Sequence, residues 1–175
     1  MDWRSIVNSL FGEEPKGREV TGKVEDAPKD YFDKLAFVES SNNPKAKAKT
    51  SSAAGLYQFT EETWTEYTKK MGKSYTLDDR YDPKKAREVV EFKTNDIVTR
   101  LKPVLGRDLN DTEKYLGHFL GISGARKMLA AAPNARVDTV VSPRALEANK
   151  AIFLNKEGKP KTVLEVYEHF KGKFQ

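Results

Sequence analysis

Apolar residues recur along most of this chain at three- and four-residue intervals, the spacing of one helical face. Tyr31, Phe32, Leu35, Ala36 and Val38 predict a helix that runs into Glu39 and stops before Pro44. Thr60 stands as an N-cap, with Glu61 and Glu62 in the first turn; Trp64, Tyr67 and Met71 form one face, and Gly72 closes the helix. Asp82-Pro83 is a cap before a proline at the first helical position. It opens a helix through Val89, Val90, Ile97, Val98 and Leu101 that Pro103 ends or kinks. Asn110 and Glu113 make a capping-box start for Tyr115, Leu116, Phe119 and Leu120, which Gly121 ends before a further helix through Met128 and Leu129. Ser142-Pro143 opens a helix through Leu146, Ile152 and Phe153, and Thr162 with Glu165 caps the last, through Val163, Val166, Tyr167 and Phe170. Strand signals are sparse, so the expected fold class is all-α.

The first segment stands apart. Trp3, Ile6, Val7, Leu10 and Phe11 share one face of an amphipathic helix over residues 1–11. Residues 12–29 are polar and rich in Gly, Glu and Lys, as in a linker, which leaves residues 30–175 as the expected domain. The helix either docks on its own domain or tethers the chain to a partner protein or a membrane surface.

Composition removes several classes of chemistry. The chain has no cysteine, which excludes a disulfide scaffold, a thiolate metal site and a cysteine nucleophile. Its two histidines, His118 and His169, lack the paired spacing of a catalytic zinc site, so no metal and no cofactor is expected. The net charge of +5 suits any polyanionic partner, whether nucleic acid, anionic envelope or cell wall. Acidic residues interrupt the basic ones nearly everywhere, which argues against nucleic acid. No apolar run reaches a membrane span of roughly 18 residues. Asp2, Arg4 and Asn8 break any secretory h-region, so no signal peptide is expected.

Glu39 carries the candidate chemistry. Phe32, Leu35 and Ala36 lie seven, four and three residues before it, so its carboxylate emerges from the apolar face. Partial desolvation there is expected to raise its pKa above the usual value of roughly 4.3, as a general acid near neutral pH requires. Glu39-Ser40-Ser41-Asn42-Asn43-Pro44 is followed by Ala54-Gly55-Leu56-Tyr57-Gln58-Phe59. These two segments resemble the first two motifs of the lytic transglycosylases related to goose-type lysozyme. Tyr115–Gly121 with Gly124-Ala125 resembles the third motif as written in a phage and alphaproteobacterial branch, and coverage runs from about Tyr31 to Phe170.

The resemblance implies a lysozyme-like helical domain with an active-site cleft, and a peptidoglycan glycan strand as substrate. Glu39 would be catalytic, and Ser40, Tyr57, Gln58, Phe59, His118 and Phe119 would contact the sugar. Tyr57 and Phe59 are expected to offer ring faces, and Gln58 both a donor and an acceptor. One departure stands out. The commoner third motif is A-Y-N-x-G, whereas Gly117-His118-Phe119-Leu120-Gly121 puts His118 at the tyrosine position, with no asparagine after it. His118 either hydrogen-bonds the catalytic carboxyl or is a satisfied core residue.

The implied reaction cleaves the β-1,4 bond between N-acetylmuramic acid and N-acetylglucosamine and closes a 1,6-anhydro sugar, with no second carboxylate required. Asp78, Asp79, Glu61 and Glu62 read as loop or capping residues. The alternatives are a hydrolytic muramidase on the same fold, a stem-peptide endopeptidase, and a glycan-binding or virion module on an inactive scaffold. The expected setting is a monomeric virus-encoded lysin, in the virion or host cell, that acts on the periplasmic cell wall.

Overall fold

The computed structural model describes residues 30–174, so the expected helix over 1–11 and the whole 12–29 linker lie outside the described residues. The described chain falls into two compact units, one over residues 30–97 with Phe174 and one over 98–173.

The first unit begins with α1, Tyr31–Ser40. Asp30 caps it by accepting from the backbone N–H groups of Phe32 and Asp33, both at 2.9 Å. Tyr31, Leu35 and Ala36 form its buried stripe. An irregular loop leads to α2, Glu61–Lys70, where Thr60 accepts from Thr63 N–H at 3.3 Å, and Trp64, Tyr67 and Thr68 are buried. Gly72, at φ +67°, ends that helix while Lys73 N–H returns to Thr68 O at 2.9 Å. A 3₁₀ turn, Leu77–Tyr81, precedes α3, Pro83–Leu105. Asp82 caps α3 through Lys84 and Lys85 N–H, with Pro83 in first place. The helix continues past Pro103 and stops at Gly106, φ +68°.

The second unit is built on α4, Asp111–Ala130, and α7, Val163–Lys171. Both capping boxes read from the sequence close in both directions, Asn110 with Glu113 and Thr162 with Glu165. Glu113 is fully buried, and Arg107 binds both of its oxygens, at 2.7 and 3.0 Å, which compensates the desolvated charge. Gly121, at φ +72° and ψ +165°, breaks α4 into two helical pieces where the sequence placed an end and a new start. The expected single helix after Ser142-Pro143 is two, α5 Pro143–Ala148 and α6 Lys150–Phe153. Asn149 divides them, because its side-chain amide donates to Ala145 O at 3.0 Å in place of a helical bond. Among the described residues the extended pairings are isolated bridges only, and the fold is all-α as expected.

Candidate active site

Glu39 lies next to last in α1, half-buried. The helix stops just beyond it because Ser41 and Asn42 adopt left-handed backbone, φ +52° and +62°. Their N–H groups turn back to Phe37 O and Ala36 O, at 2.9 and 3.2 Å. This sharp ending fixes the last turn of α1.

Ser40 links that turn to the second motif. Its hydroxyl lies 3.0 Å from Ala36 O, within the helix, and 2.8 Å from Leu56 O, in the loop. In the Glu-Ser pair, the candidate acid is followed at once by the residue that fastens the loop.

The loop itself is a tight reversal. Ala54 and Phe59 exchange both backbone hydrogen bonds, at 3.0 and 3.1 Å, around a Gly55–Gln58 turn. Gly55 has φ +80°, and a Cβ added to it would fall on the carbonyl oxygen of Arg80. Gln58, also left-handed at φ +48°, donates its side-chain Nε2 to Gly55 O at 2.9 Å and points it at Ala46 O at 3.4 Å. It spends that donor on bracing the turn.

Tyr57 and Phe59 are corrections to the sequence reading. They are 3% and 2% exposed, so their rings pack into the core and do not offer open faces to a saccharide. The reversal at Gly55–Gln58 turns both side chains inward. Phe59 meets Trp64 edge-on at 5.4 Å between ring centroids. Burial pushes the Tyr57 phenol up from its ordinary pKa, opposed by a hydrogen bond with Arg87. Arg87 also lies over the Phe32 ring, 4.4 Å from its centroid, and pairs with Asp30 at 2.6 Å. It thereby joins α3, the loop and the start of α1.

Two basic residues that the sequence reading passed over hold this region together. Arg80, 6% exposed, donates to Leu77 O and Ser52 O at 2.8 and 2.7 Å and to Phe59 O at 3.2 Å. It supports both limbs of the loop, and no local pattern announces it. Lys93, 7% exposed, stands 5.6 Å above the Phe59 ring centroid and is attracted electrostatically to Glu39 and Glu66. Lys93 did leave a signal, since it falls on the apolar stripe of α3 with Ala86, Val89, Val90 and Ile97. Burial outweighs those attractions and pushes the Lys93 ammonium down to a pKa of about 8.

That shift predicts a stability effect with a definite sign. The unfolded chain holds the Lys93 proton up to about pH 10.5 and the folded chain only to about 8. The penalty, on the order of 3 kcal/mol, is thus complete below about pH 8 and relieved as pH rises toward 10.5. Lys93→Met should melt higher than wild type at pH 7, and the gap should narrow steadily up to pH 10. Thermal melts across that range check it; a Met variant that melts lower at pH 7 contradicts the assignment.

His118 and Phe119 belong to the second unit. His118 stacks on Tyr115, with ring centroids 6.2 Å apart. Phe119 joins an aromatic cluster with Tyr115, Phe153 and Phe170, its ring 5.0 Å from that of Phe170. Of the carboxylates nearest to Glu39's motifs in the sequence, two have other partners and two are exposed. Asp79 accepts from Thr76 N–H at 2.7 Å and pairs with Lys85 at 2.6 Å, which holds its carboxyl below the usual range. Glu61 lies at the first position of α2, 3.9 Å from Arg80. Glu62 is exposed in the same first turn, and Asp78 is exposed on the 3₁₀ turn.

Residues 20–90 match the family model of the transglycosylase SLT domain. Over this stretch the chain is similar to the SLT family of lytic transglycosylases. The match takes in Glu39, Ser40 and the Gly55–Phe59 turn, whereas His118 and Phe119 lie outside it. Lytic transglycosylases are enzymes acting on peptidoglycan, and the helical fold is consistent with that match.

Proposed function

We propose that the protein cleaves the β-1,4 bond between N-acetylmuramic acid and N-acetylglucosamine, with Glu39 as both acid and base. The observation that carries this reading is the Glu39-Ser40 helix end, tied through Leu56 O to the glycine turn. Protonated Glu39 gives its proton to the glycosidic oxygen, and the bond from that oxygen to muramic acid C1 breaks. The carboxylate then takes the proton of the muramic acid C6 hydroxyl, whose oxygen closes on C1. The product is a 1,6-anhydro sugar, no water is consumed, and Glu39 ends protonated as it began.

Support for a lone carboxylate comes from its neighbours in sequence. A hydrolase normally places a second carboxyl roughly 5–5.5 Å away as a nucleophile, or roughly 6.5–9.5 Å away to activate water. Asp79 is committed to Lys85 and to the cap of its own turn. We also read Gln58 as a sugar contact through its amide oxygen, and His118 and Phe119 as contacts carried over from the third motif. The resemblance of that motif to a phage branch supports a virus-encoded lysin, monomeric, used on the cell wall at entry or at lysis.

Permeabilised bacteria incubated with the purified protein should lose turbidity, and equally so in excess chelator, because the sequence offers no cysteine and no paired histidines. Loss of lysis in EDTA with recovery on adding zinc would instead favour a metallopeptidase that cuts stem peptides.

A further inference from the structure

Lys93 is a charge that the packing of the first unit has reason to avoid. It occupies the buried stripe of α3, a position that an aliphatic residue would fill at no electrostatic cost. Groups on three elements act on it: Glu39 on α1 and Glu66 on α2 attract it electrostatically, and the Phe59 ring, in the loop that Ser40 ties to the end of α1, lies 5.6 Å from the ammonium. Glu66 is largely exposed and pairs with Lys70 at 2.6 Å, so water and a second cation both weaken its pull. Glu39 is half-buried and is the strongest electrostatic partner of Lys93.

We propose that Lys93 is a positioning residue for the reaction, a buried cation that favours the Glu39 carboxylate formed when its proton leaves. The inference rests on the reading of Glu39 as the acid and base. Attraction in a water-poor setting is stronger than at the surface and needs no reorganisation when the charge appears. The Phe59 ring supplies a second, weaker attraction for the ammonium and holds it in place. A glycine turn anchored by Ser40 and Arg80 keeps Phe59 fixed, so loop, lysine and acid form one unit. The effect has two sides. A nearby cation makes Glu39 a better proton donor, and it also shortens the pH range over which Glu39 stays protonated.

The test uses the full-length protein as wild type, Lys93→Met and Lys93→Arg, with rates on purified peptidoglycan from pH 4 to 9. Lys93→Met should melt at or above wild type at pH 7 and keep KM within about twofold. Its kcat on the acidic plateau should fall about tenfold, and its alkaline limb should move up by about one pH unit. Lys93→Arg, which retains the charge, should bring the limb back toward wild type. In a Glu39→Gln background Lys93→Met should change the residual rate less than about twofold, because its effect passes through Glu39. An unmoved limb, a loss uniform across pH, or a Met variant that fails to fold overturns the proposal. Full activity in Glu39→Gln alone would instead overturn the catalytic reading on which it rests.

Discussion

Glu39→Gln should fold and melt like wild type yet lose nearly all lysis of permeabilised cells. Glutamine keeps the size of the side chain and a hydrogen-bonding end, so the last turn of α1 and the Ser40 hydroxyl's link to Leu56 O remain. It has no acidic proton to give and is too weak a base to take one. A general acid–base group contributes typically about 10²–10⁴-fold, and in the proposed mechanism one residue serves both steps, so the upper part of that range is expected. Circular dichroism melts establish the fold and turbidity assays the rate. A variant that melts normally and lyses within about threefold of wild type would remove Glu39 from the mechanism.

Gly55→Ala should be the most damaging single methyl in the loop. The position combines φ +80° with backbone contact, since the new carbon would fall on the carbonyl oxygen of Arg80. Left-handed backbone costs an alanine roughly 1–2 kcal/mol, and forcing apart packed main chain adds roughly 1–3 kcal/mol. The sum, about 3 kcal/mol, corresponds to a fall in Tm of roughly 10 °C for a chain of this size. Activity should fall further than stability does, because the turn carries Gln58 and holds Phe59 against Lys93. Gly72→Ala is the control. Gly72 has a similar positive φ of +67°, but an added Cβ would meet nothing within 4 Å. It should cost only the backbone part, and equal losses at the two glycines would show that the Arg80 contact is unimportant.

Legibility in the sequence followed the range of the interactions. Helix starts at Thr60, Asp82, Asn110, Ser142 and Thr162 were readable because a cap is a contact across two or three residues. Gly72 and Gly121 were readable for the same reason, and Asn149 was missed because its amide competes with a backbone bond that the apolar spacing does not reveal. The Glu39-Ser40 and Gly55–Gln58 segments were found as motifs, but their joint geometry depends on the Ser40 hydroxyl reaching Leu56 O, sixteen residues on. Tyr57 and Phe59 were misread for a related reason. Aromatic residues beside a glycine turn suit a sugar cleft equally well as a core, and only the Ala54–Phe59 pairing decides which way they turn. Arg80 and Lys93 act on residues 21 to 54 positions away, beyond any local pattern. A lysine in the apolar stripe of α3 was nevertheless a visible anomaly, and a buried charge near a candidate acid is a physical reason to look twice.

Whether one carboxylate breaks the glycan strand without water is read from the mass of the released fragments. Purified peptidoglycan digested to completion should yield muropeptides whose muramic acid ends are 1,6-anhydro sugars, lighter by one water than hydrolytic products. Glu39→Gln protein at the same concentration should release almost none. Fragments with mainly reducing ends would make the enzyme a muramidase that recruits a second carboxyl. Cut stem peptides on an intact glycan would contradict the account altogether.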